Sequence, residues 1–141
     1  MKKILFLALL LSLVFAFSNC KKEVKEEEEE EVPTTPTTAN IAVTISIFED
    51  ETQPVNCNGL SVELHTNSLY TNKAKSTTSA GTATAATASF TDVPNGKYYL
   101  IAWKDMDASS SYTTGDLFGF VETPVVINGA NLSKEIKMYV L

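Results

Sequence analysis

Arginine is absent from the 141 residues, so all eleven basic side chains are lysines. The chain thereby lacks the planar five-donor group that recognises phosphates and base edges bidentately. With a formal net charge of −6, no nucleic-acid partner is expected. Histidine occurs once, at His65, and it has no companion ligands at a metal-site spacing. No apolar run reaches the roughly 20 residues that a membrane-spanning helix requires. The length suits a single domain once a leader and a linker are set aside.

The longest apolar stretch, Ile4 to Phe17, follows Lys2 and Lys3 and is interrupted only by Ser12. A positive start and a short apolar segment make an export signal, expected over residues 1–19. Phe17-Ser18-Asn19-Cys20 resembles the lipobox of bacterial lipoproteins, with Phe17 where Leu is usual and Asn19 where Gly or Ala is usual. The resemblance implies lipidation of Cys20 and anchorage in the cell envelope, at the outer membrane and with exposure on the cell surface. Cys57 is then left without an intrachain partner, which excludes a disulfide framework. The alternative is cleavage after Ser18 and release of a soluble secreted protein.

Seven of the seventeen acids lie between Glu23 and Glu31. A block of like charges repels itself and stays solvated, and the Pro and Thr residues from Val32 to Thr38 favour an extended spacer. Residues 20–39 therefore read as a stalk. Its acidic run also resembles the short tag that sorts some lipoproteins to the cell surface.

From Asn40 to Leu141 the pattern is that of half-buried strands. Ile41, Val43, Ile45 and Ile47 alternate with Ala42, Thr44, Ser46 and Phe48. Val62 and Leu64 are expected inside, Glu63 and His65 outside. The low-bulk segment Ser76 to Ser89 reads as a loop that turns into a strand before Phe90. Asp92-Val93-Pro94-Asn95-Gly96 has tight-turn chemistry and predicts a hairpin into Lys97 to Lys104. Strands follow at Leu117 to Glu122, Pro124 to Ile127 and Leu132 to Leu141. About seven strands with no helix-period segment predict an all-β, two-sheet sandwich.

The segment Ser89 to Ala102, with Phe90, Val93, Pro94, Gly96, Tyr98, Leu100 and Ala102 at its fixed places, resembles a hairpin of transthyretin-like sandwiches, including carboxypeptidase regulatory-like domains. The resemblance implies a Greek-key sandwich with Tyr98, Leu100 and Ala102 pointing inward. It implies no particular function, because such folds host many.

Two segments carry candidate chemistry. Asp105, Asp107, Ser109, Thr113 and Asp116 take places one, three, five, nine and twelve of a twelve-residue loop, the spacing of EF-hand-type calcium ligands. Ser110 stands in the place of the turn glycine, and Asp116 is shorter than the usual Glu. Any calcium site would be weak, with dissociation constants of about 10⁻⁴ to 10⁻³ M; otherwise the aspartates simply cap turns. The second segment is the row Tyr99, Ile101 and Trp103, joined by Tyr139 if the last strand lies alongside. It reads as a face for stacking a glycan or docking another envelope protein, or else as a layer covered by a loop.

No nucleophile, base and orienting group combine. Cys57 reads as a buried thiol and His65 as a surface imidazole, so no enzymatic activity and no cofactor beyond weakly held calcium are expected. The sequon at Asn131-Leu132-Ser133 matters only in a eukaryotic secretory route. The expectation is a lipid-anchored, non-enzymatic binding module, or alternatively an envelope spacer with no small-molecule ligand.

Overall fold

A computed structural model describes residues 37–141. The expected signal, Cys20 and nearly all of the stalk lie outside the described residues. Nine strands run in order: β1 (Thr38–Ile47), β2 (Ser61–His65), β3 (Lys73–Thr78), β4 (Ala80–Gly81), β5 (Ala85–Pro94), β6 (Gly96–Lys104), β7 (Leu117–Phe120), β8 (Val125–Ile127) and β9 (Leu132–Val140). The described part is all-β and sandwich-like, without a helix.

The strands hydrogen-bond in the order β3-β2-β6-β7-β9-β1-β5-β4, with β8 added to the start of β6. Every pairing is antiparallel except β1 with β9. β9 lets the sheet fold over, because Leu132 to Met138 pair with β1 while Tyr139 and Val140 pair with β7. At the open seam the Lys75 ammonium of β3 donates to the Thr91 carbonyl of β5, so the ribbon nearly closes.

The period-two pattern of β1 buries Ile41, Val43 and Ile45. They meet Val62 and Leu64 of β2, Tyr98, Leu100 and Ala102 of β6, and Ile136 and Met138 of β9 in one core. Burying each such Val, Ile or Leu side chain contributes about 1.5–3 kcal/mol. Phe90 and Val93 also enter this core, although side chains three apart on a regular strand point to opposite faces. A bulge resolves the conflict: Ala39 pairs with Val93 but Ile41 with Phe90, and Asp92 takes φ 52°. The Asp92 N–H donates to Asn40 Oδ1 at 3.1 Å. An extra residue in one strand re-aims the next side chain inward.

Two further devices hold the core together. Buried Ser79 donates to the Cys57 carbonyl at 2.7 Å and accepts from the Leu60 N–H at 2.9 Å, which pins the turn-rich Glu51 to Gly59 stretch and places Cys57 inside. Gly119 brings β7 against β9: a Cβ there would lie 2.6 Å from both Ile136 Cγ2 and the Lys137 carbonyl oxygen. Glycine in a strand marks such close approach.

Three expectations are revised. The expected loop from Ser76 holds the end of the strand Lys73–Thr78 and all of Ala80–Gly81 before the next strand begins at Ala85; β3 is an edge strand whose side chains are all at least partly exposed, so it carries no apolar alternation to read. The count is nine strands. Glu63 and His65 are not at the surface but only 3% and 2% exposed, for a reason that leads to the candidate site.

Candidate functional site

Cross-strand register assembles a second, smaller layer on the side of the β2-β6-β7-β9 sheet that faces away from the main core. Ser61 lies opposite Trp103, Trp103 opposite Phe118, and Phe118 opposite Tyr139. The next row is Glu63, Ile101 and Phe120, and then His65 with Tyr99. The expected row Tyr99, Ile101, Trp103 and Tyr139 therefore does share one face.

Most of that face is covered. Ile101 is fully buried, while Tyr99, Trp103 and Tyr139 are half-buried. Tyr112, from the loop between β6 and β7, sets its ring edge-on to Trp103 at 4.9 Å and to Phe118 at 5.3 Å. Tyr70, held at φ 54° in the β2–β3 turn, packs edge-on against His65 at 5.8 Å and Phe118 at 6.1 Å. Burial and the nearby Glu63 and Tyr70 push the Tyr112 hydroxyl up to about 12.

Beneath this cover, Glu63 is 3% exposed. Its Oε1 accepts from Ser61 Oγ at 2.8 Å, Lys73 Nζ at 3.1 Å and Trp103 Nε1 at 3.1 Å, and its Oε2 lies 2.8 Å from His65 Nε2. Burial raises the Glu63 carboxyl, but the bonds from Trp103, Ser61, Lys73 and His65 outweigh it and hold the group below the usual carboxylate range. His65 Nδ1 is buried and has no partner.

The aromatic layer opens at the other end. Phe118 contacts Phe120 at 6.1 Å and Tyr139 at 6.2 Å, and beyond them lies a groove of about 690 Å³. Phe48, Phe120, Val121, Tyr139 and Val140 give it an apolar lining, and Glu51, Glu122, Glu135 and Lys137 supply its charges. Phe48 and Phe120 are 48% and 40% exposed. This volume falls within the range of small-ligand sites. Sequence reading missed Phe48 and Phe120. The available signal was Phe48 itself, a large aromatic directly after β1 that continues the parity of its polar row.

The Asp105 to Asp116 loop gathers its three aspartates, with one carboxylate oxygen of each within 4.8 Å of the others. The carboxylates build the loop themselves. Asp105 accepts from the N–H groups of Asp107, Ser109 and Ser110, and Asp107 from the Ser109 N–H and the Thr113 hydroxyl. Asp116 accepts from the N–H groups of Met106 and Thr113 and from the Thr113 hydroxyl. Hydrogen bonds from Ser109 chiefly lower the Asp107 carboxyl, and the Met106 and Thr113 N–H groups chiefly lower Asp116. Ser110 makes the expected sharp turn without glycine, at φ 60°. The loop is thus self-supporting, and it presents Tyr112 to Trp103.

Cys57 and His65 are not brought together. Cys57 belongs to the main core, where burial pushes its thiol up, whereas His65 sits on the opposite face of β2 against Glu63. No protein-family model, curated protein or solved structure matches the chain.

Proposed function

We propose that the chain is an exported protein, lipidated on Cys20, that carries a non-enzymatic binding domain on its acidic stalk. The observation that supports binding is the groove beside Phe48, Phe120 and Tyr139, where the aromatic layer presents two exposed rings to solvent. Exposed aromatics beside convergent charged groups suit a small ligand or a side chain of another envelope molecule. The groove replaces the Tyr99 to Trp103 stripe as the place of contact, because that stripe already has Tyr112 and Glu63 as partners.

The export part rests on Lys2, Lys3 and the apolar run from Ile4, and the anchor on the lipobox at Cys20. Mass spectrometry of the mature N-terminus tests the anchor; a chain that begins at an unmodified Asn19 refutes it. A ligand panel with glycans tests binding on the purified full-length protein, with Phe120→Ala and Tyr139→Ala as variants. Binding lost in both variants is expected. Binding unchanged by either variant refutes the groove as the place of contact, and no binding at all favours the spacer.

A further inference from the structure

The charge around the groove is lopsided. Glu51, Glu122 and Glu135 face one ammonium, that of Lys137. Lys137 is already engaged, with Nζ 3.0 Å from Glu135 Oε1. Glu51 is fixed in place, since Oε2 accepts from the Val140 N–H at 2.8 Å and Oε1 from the Gln53 N–H at 2.6 Å. Those bonds, led by the one from Val140, lower its carboxyl, so it stays ionised at neutral pH. Glu122 is exposed and pairs with no other described residue. The lining therefore carries an uncompensated negative charge next to three aromatic rings.

We propose that the groove takes an organic ammonium ion, a quaternary or alkylated ammonium on a short apolar body, with Phe48, Phe120 and Tyr139 as its aromatic wall and Glu122 and Glu51, the two carboxylates without a cation, as its counter-ions. The inference rests on the groove being the binding surface and adds the class of ligand. A ring presents a negative face to a cation, and the attraction grows as water is excluded. Charge complementarity then separates candidate ligands. An anion is repelled by the carboxylates. A neutral polyol stacks on the rings but leaves Glu122 uncompensated. A bare metal ion would have to shed tightly held water to meet the rings, which costs more than an aromatic wall returns.

The test is an NMR titration of the full-length protein with choline and with 3,3-dimethylbutan-1-ol, which has the same shape but no charge. Choline is expected to shift the signals of Phe48, Phe120 and Tyr139 and to bind about tenfold more tightly than the alcohol, with the preference shrinking as salt rises. Glu122→Gln should remove much of that preference while leaving the rest of the spectrum unchanged, since this carboxylate is exposed and bonds to no other described residue. Equal binding of the two probes overturns the ammonium assignment and leaves the groove as a binding site. Binding of a neutral glycan in the groove without any choline effect does the same. If no probe and no panel member reaches the groove, both the assignment and the binding function fall.

Discussion

Glu63→Ala removes an acceptor shared by four donors, and the structure sets the scale of the loss. Lys73 is half-exposed and turns to water at little cost. The His65 side chain is 3% exposed and already has one unpartnered ring nitrogen, so it loses its last bond. Trp103 Nε1 and Ser61 Oγ lose theirs while partly covered. A buried group left unsatisfied costs about 1–3 kcal/mol, with the fully covered His65 toward the upper end and the partly covered Trp103 and Ser61 toward the lower. We expect a loss of about 3–5 kcal/mol for Glu63→Ala and about 1–2 kcal/mol for Glu63→Gln, which keeps the shape and an acceptor oxygen. Urea unfolding followed through Trp103, the single tryptophan, measures both. A loss below about 1 kcal/mol in the alanine variant would refute the network's role; equal losses in the two variants would refute the hydrogen-bond account.

The pH dependence has a fixed sign. The folded-state carboxyl of Glu63 lies below its ordinary value, so between the two values the unfolded chain binds the extra proton. The stability from Glu63 is then fully present above the unfolded pKa of about 4.3 and is lost as pH falls through the lower, folded value. Asp107, Asp116, Glu51 and Glu135 are depressed as well, so Glu63→Gln should flatten the acid limb only in part. An unchanged slope would show that the buried carboxyl does not titrate there.

Gly119→Ala places a methyl against the Lys137 carbonyl, a backbone atom that cannot swing away. It should cost at least about 1–3 kcal/mol by thermal unfolding, and a wild-type melting temperature would contradict the β7–β9 packing. Ser110→Gly relieves a left-handed residue at φ 60° and should stabilise by about 0.5 kcal/mol after glycine's entropic cost; destabilisation would argue against that turn. Asp116→Ala removes the acceptor of the Met106 and Thr113 N–H groups, so Tyr112 should loosen from Trp103 and acrylamide quenching should rise, with unchanged quenching as the contrary result. Cys57, fully buried with a raised thiol, should resist a thiol reagent at neutral pH until the protein is unfolded, and rapid labelling mapped to Cys57 would contradict its place in the core.

The sequence made β1 readable because one face meets the main core and its apolar residues recur at every second place, whereas β6 is a continuous apolar run from Tyr98 to Trp103, covered on both faces, and was marked by the turn chemistry before it. The bulge was half visible. Phe90 and Val93 are both large and apolar at odd spacing, and only an extra residue buries both. β3 left no mark, since its Lys, Ser and Thr side chains are at least partly exposed on both faces. The site shows a different limit. Alternation correctly placed Glu63, His65, Tyr99, Ile101 and Trp103 on one side of the sheet, but parity says nothing about what lies over that side. The cover comes from Tyr70 and Tyr112, which sit in turns where no periodicity exists to reveal them.

That uneven cover is the reason to separate the two ends of the aromatic layer. At Trp103 the side chains have partners within the fold: Nε1 has Glu63, the ring has Tyr112, and Tyr112, itself 38% exposed, is carried by a loop whose aspartates cap their own backbone. Such an arrangement stabilises a fold and leaves little for a ligand to add. At Phe120 and Phe48 no corresponding residue closes the layer among the described residues, and two large rings remain 40% and 48% exposed. Covering apolar surface is favourable at about 25 cal/mol per Å², so a spacer would gain stability by closing this end as it closed the other. An uncovered aromatic wall beside unmatched carboxylates gains that free energy when something else covers it, and for that reason we propose the groove rather than the stripe as the place of contact.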